Sequence, residues 1–204
     1  MLAVMNGHEA VVKLLLSNGA NHINEDNAGR TALMLAAKNG HEAAVTLLLC
    51  DSMVTLDSQD KEGKTPLIVA ASNGHEAVVK LLLENQANVN HRDKQGRPPL
   101  IHAAKNGHFA IVKLLLERGA NINARDLVGK TALIHAVVER HADVARLLLE
   151  HNADVRMLDF QGESALSYAR QAGHHAYAAL LEKWESEREL RMTPYFFGDY
   201  DGDK

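Results

Sequence analysis

The chain has 204 residues, 46% of them hydrophobic but only 4% aromatic, and a formal net charge of -4. A core must therefore be built from Ala, Val, Ile and Leu, and there is enough of it for one or two ordinary domains. No apolar run approaches the roughly 20 residues that cross a bilayer, MLAVMNGHEA lacks a basic segment followed by an apolar one, and the single cysteine, Cys50, forms no internal disulfide.

An intracellular protein is expected, cytoplasmic with the nucleus left open, and no membrane contact. The charge is uneven. From Glu182 to Lys204 there are seven acidic and four basic residues, leaving 19 of 26 acidic and 18 of 22 basic residues in the body. The body is near neutral and the tail acidic.

Residues 6–16 read NGHEAVVKLLL, and the same stretch returns unchanged at 73–83. Looser copies are NGHEAAVTLLL at 39–49, NGHFAIVKLLL at 106–116 and ERHADVARLLL at 139–149, in steps of 33, 34, 33 and 33 residues. The copy from Asp60 to Arg92 is read most fully. Thr65-Pro66 predicts a helix start, a hydroxyl for free N–H groups followed by a ring that presets φ. LIVAAS then forms a short helix, closed at Asn73-Gly74 by the left-handed conformation that glycine adopts cheaply. A second helix runs from about His75 to Asn85, apolar on most of its circumference, with Glu76, Lys80 and Glu84 on the remaining face. NVNHRDKQG reads as an extended crossing into a tight turn at Gly96. One such unit cannot bury its own apolar surface, so the copies must stack.

The pattern D-x-x-G-x-T-P-L, A-A-x-x-G-H, V-x-L-L-L and A-N-V-N resembles the ankyrin repeat, whose period is 33. Full copies begin at Asp26, Asp60, Asp93, Asp126 and Asp159, with a partial one over residues 1–25. The resemblance implies an all-α ankyrin-repeat solenoid over residues 1–183, followed by an acidic-aromatic tail at 184–204, partly disordered. It also implies a protein-binding scaffold that works through turn tips and first helices. Some family members are hydroxylated at the second Asn of A-N-V-N, which Asn90 and Asn123 match.

The chain departs from the family pattern in several places. Met1 aligns with Met34, so the first copy lacks its turn; either the chain is a piece of a longer array, the preferred reading, or a truncated unit caps it. The family's histidine after T-P-L is replaced by Met34, Ile68, Ile101, Ile134 and Ser167, so packing must replace its bond to the threonine. Pro98 stands at a threonine position, Arg140 at a helix-ending glycine, and one extra residue within CDSMVTLDSQ should bulge a loop. Glu182 replaces the third leucine of the last copy, as a polar cap would.

Six of the twelve histidines, His8, His41, His75, His108, His141 and His174, fill one repeated slot and are expected to be structural. His102 and His135 share another slot, about 10 Å apart in stacked units, too far for one zinc ion, and no carboxylate partner is apparent. There is no G-x-S-x-G, P-loop or H-E-x-x-H, and DYDGD near the C-terminus ends before a glutamate that would complete a calcium loop. No enzyme, cofactor or metal is expected.

One turn slot holds Arg30, Lys64, Arg97 and Lys130 in successive units, and Lys38 and Lys105 follow on first helices. Either these basic residues keep the turns soluble, or they form a ladder that selects a protein partner with an acidic epitope. A near-neutral body without interleaved aromatics argues against nucleic acid. Leu127, Val128 and Phe160 occupy tips that carry Lys61, Glu62, Lys94 and Gln95 elsewhere, and either contact a partner or pack on each other. The tail WESERELRM predicts a helix, broken at Pro194 into YFFGDYDGDK, a frayed end or a docking peptide. A monomeric interaction module is the expectation, with a regulatory segment of a larger multidomain signalling protein as the alternative.

Overall fold

The computed structural model describes residues 1–51 and 54–192, the last six by backbone alone. Among these, the chain forms twelve helices and no strand, in six antiparallel pairs. The pairs are α1 (Leu2–Met5) with α2 (Glu9–Ser17), α3 (Ala32–Asn39) with α4 (Glu42–Leu49), and α5 (Pro66–Asn73) with α6 (Glu76–Glu84). They continue as α7 (Pro99–Lys105) with α8 (Phe109–Glu117), α9 (Ala132–Val138) with α10 (Ala142–Glu150), and α11 (Ala165–Gln171) with α12 (His175–Met192). First helices stack in one row, α1, α3, α5, α7, α9, α11, and second helices in another, from α2 to α10. The predicted all-α solenoid is the observed architecture.

Residue size dictates the layering. Ala36, Ala37, Ala70, Ala71, Ala103 and Ala104 are buried where first helices approach closely, and Leu48, Leu82, Leu115 and Leu148 fill the wider space under the second helices. The residues replacing the family histidine, Met34, Ile68, Ile101 and Ile134, are all at most 1% exposed. Thr31, Thr65 and Thr131 still cap their helices by accepting the N–H groups of Met34, Ile68 and Ile134. Pro98 provides no side-chain cap to α7, whereas Ser164 and Ser167 close a reciprocal capping box on α11.

Two sets of bonds join consecutive units. At the tips, the N–H groups of Lys61, Lys94, Leu127 and Phe160 donate to the carbonyls of Ala28, Glu62, Gln95 and Val128 at 2.9 to 3.0 Å. Between the rows, Nε2 of His41, His75, His108 and His141 donates to the carbonyls of Met5, Lys38, Ser72 and Lys105. The repeated histidine is thus a structural bridge in four units. Arg140 adopts φ +65° where other units have glycine, a conformation that costs a residue bearing Cβ. Residues 52 and 53, within the predicted bulge, and 193–204, which include YFFGDYDGDK, lie outside the described residues.

Candidate functional site

The turn opening each full unit is organised by its aspartate. Oδ1 of Asp26 accepts the N–H groups of Ala28 and Arg30, and Asp60, Asp93, Asp126 and Asp159 repeat this with the residues two and four positions on. The fourth position is the basic slot, so the turn itself fixes the backbone beneath Arg30, Lys64, Arg97 and Lys130.

The rungs are not equivalent. Arg30 folds back onto Asp26, with Nε 2.8 Å and Nη2 2.6 Å from Oδ2. The Arg30 guanidinium pulls the Asp26 carboxyl down to about 2. Arg97 does the same with Asp93, 3.0 Å from Nη2 to Oδ2, and also donates to Gln95. Lys130 places its ammonium 4.5 Å from the ring centroid of Tyr168 in the next unit. Lys64, Lys38 and Lys105 have no side-chain ion pair or hydrogen bond among the described residues. Arg30, Lys38 and Lys64 converge on one cleft with Asp60, Ser72 and Asn73. Lys105 and Lys130 both lie close enough to His135 for their charges to act on it.

The second aspartate oxygen separates early from late turns. Nε2 of His102 donates to Asp93 Oδ2 and Nε2 of His135 to Asp126 Oδ2, both at 2.8 Å, and the Tyr168 hydroxyl donates to Asp159 Oδ2 at 2.6 Å. Leu35 and Val69 fill the same slot in the first two full units and donate nothing. The expectation that these histidines lack a carboxylate partner is corrected: nine residues separate each Asp from its His or Tyr, and that spacing was visible in the sequence. Burial pushes the His102 and His135 imidazoles down, against the pull of their aspartates. Burial raises the Asp93 carboxyl, but hydrogen bonds from His102 and Arg97 outweigh it and hold the group well below the usual range. Asp159 is lowered in the same way, with Tyr168 as the main donor, and that bond raises the Tyr168 hydroxyl. No group of three His, Cys, Asp or Glu side chains is placed to hold a metal ion among the described residues.

At the fourth and fifth turns, Leu127 and Phe160 are 67% exposed and Val128 47%, and Leu158, which the sequence reading did not single out, is 49% exposed. Each apolar tip leans on the glycine of the turn before it. A Cβ on Gly129, at φ +86°, would stand 2.7 Å from the Phe160 nitrogen, so only glycine leaves room there. Arg125 was also missed. Its guanidinium covers the Phe160 ring at 4.8 Å and donates to the Gly129 and Leu158 carbonyls, while Arg92 donates to the Arg125 carbonyl. Asn90 and Asn123 serve the stack as well, their Oδ1 atoms accepting the N–H groups of Asn121 and Asp154 in the following unit.

A comparison with curated proteins finds no match. The family model for ankyrin repeats (3 copies) matches residues 1–57, 50–126 and 126–189. The stacked helix pairs, the stitched tips and this match together place the chain in one family: it belongs to the ankyrin repeats.

Proposed function

We propose that this chain is a cytoplasmic, non-enzymatic scaffold that recognises an acidic segment of a partner protein at the edge formed by Arg30, Lys38 and Lys64. Ankyrin repeats are in general protein–protein interaction modules. The single observation that carries the finer reading is the cleft where these three cations converge, with neither Lys38 nor Lys64 in an ion pair among the described residues. A carboxylate entering there gains two ammonium groups that no ion pair among the described residues neutralises, and such pairing sets specificity and on-rate more than raw affinity. Arg97 and Lys130 lie further along the same slot but are already engaged, so they extend the edge as shape more than as charge. Lys105 supplies one more unpaired ammonium, and Leu127, Val128 and Phe160 offer an apolar end to the same surface.

The test is affinity capture from lysate, with partners identified by mass spectrometry, for the native chain, Lys38→Glu/Lys64→Glu and Arg97→Glu. The expected result is loss of a partner with the double variant and retention with Arg97→Glu, with the double variant melting within a few degrees of the native chain and Arg97→Glu still helical. Equal capture by all three overturns the acidic-partner reading. A second reading, a regulatory ankyrin segment of a larger multidomain signalling protein, is favoured by the uncovered apolar end of the stack at α1 and α2.

A further inference from the structure

The same eleven residues fold twice in this molecule, in two different surroundings. In α6, Val78 and Leu82 are 0% exposed because α4 covers one side of the helix and α8 the other. In α2, the equivalent Val11 and Leu15 are 46% and 45% exposed, and Leu14 is 62% exposed. The first helices repeat the contrast: Met1 and Leu2 are 38% and 74% exposed, whereas Ile68 and Val69 are 0% and 9%. Identical side chains differ in burial only because one copy has a unit stacked ahead of it. The bare side is of the order of several hundred Å2, a size that marks an interaction surface.

The cleft on this side is lined by Met1, Val4, Leu15, Leu16, Asn21 and His22, with no carboxylate or lysine side chain among its lining residues. His22 stands where later units have Leu56, Val89, Ile122 and Val155, its side chain is 10% exposed, and its Nε2 has no hydrogen-bond partner. An apolar surface is what would complete it.

We infer that the bare face of α1 and α2 is a stacking surface for a further ankyrin-type helix pair, carried ahead of α1 on the same polypeptide. Burial carries this inference, not the position of Met1. The occupant is defined by what already covers the identical residues of α6, namely the trailing side of α3 and α4. A second copy is a poorer match, since it can offer only another leading face: Glu182 and Lys183 are both exposed at its far end. The inference builds on the larger-protein reading and is independent of the acidic cleft.

Intact-mass measurement and peptide mapping of the protein from its own cells test it first. The expected result is a mass above 22.3 kDa with sequence before MLAVM that contains D-x-x-G-x-T-P-L. A mass of 22.3 kDa overturns both this inference and the larger-protein reading. A larger mass without that pattern overturns this inference alone. A second measurement uses hydrogen exchange. Residues 26–67 joined ahead of Met1 continue the register, with Met1 in the place of Ile68. In the chain as it stands, α2 amides should exchange on the order of 100-fold faster than their twins in α6, and the extension should slow them to within about tenfold. Equal exchange without the extension, no slowing with it, or a concentration-dependent dimer that Leu15→Glu dissolves each contradicts the inference.

Discussion

The first two full units and the last three share one turn but use it differently. In the turns of Asp93, Asp126 and Asp159, both carboxylate oxygens are engaged, one by the turn and the other by His102, His135 or Tyr168 on the helix that follows. In the turns of Asp26 and Asp60, the helix offers Leu35 and Val69, and only Arg30 reaches the second oxygen. The late units therefore commit a second polar side chain to the order of each turn, while the early ones leave that slot apolar. One repeat frame supports both arrangements, because the difference lies in a slot that packing tolerates as either apolar or polar.

Acid should have the largest effect on this contrast. The His102 and His135 imidazoles sit below their unfolded value of 6.5, so protons bind more readily to the unfolded chain. Stability is then complete above 6.5 and falls as pH drops through it. The depressed carboxyls of Asp93 and Asp159 add a second loss as pH falls below their unfolded value of 3.8, and Asp26 joins between 3.8 and about 2. Melting temperature across pH 8 to 3 should decline in these two stages, first in the late units. A melting curve flat above pH 4 would remove the histidines from the account.

Among substitutions, His102→Leu should cost most, about 2 to 3 kcal/mol by urea unfolding, since it strips a donor from a fully buried carboxylate. Arg125→Ala should cost about 1 to 2 kcal/mol, from two carbonyl bonds and the cover on Phe160. Pro98→Thr should restore a cap to α7 and add about 0.5 to 1 kcal/mol. Val69→His, which gives Asp60 the donor that the late turns have, should change stability by less than about 1 kcal/mol. The bond it makes offsets the buried methyl groups it removes.

The architecture was legible because packing repeats: the period of 33 or 34 residues, the hydroxyl that starts most first helices and the Leu-rich second helices each report a local rule that recurs along the chain, with departures at Pro98 and Glu182. The roles of the charged residues were less so. Arg30, Lys64, Arg97 and Lys130 look interchangeable as letters, and only side-chain geometry separates the two arginines bound to their own aspartates from an unpaired Lys64. Arg125 and Arg92 were missed because their partners are backbone carbonyls 33 residues away, which leave no mark on residue type. The bare side of α2 was hidden for the opposite reason, since its sequence is identical to that of a covered helix.

The most direct test of the central claim is an NMR titration of the native chain with a short glutamate-rich peptide. The account predicts amide shifts centred on Lys38, Lys64 and Ser72 that vanish in Lys64→Glu. Shifts confined to Leu127, Val128 and Phe160, or an unchanged response in Lys64→Glu, would contradict it.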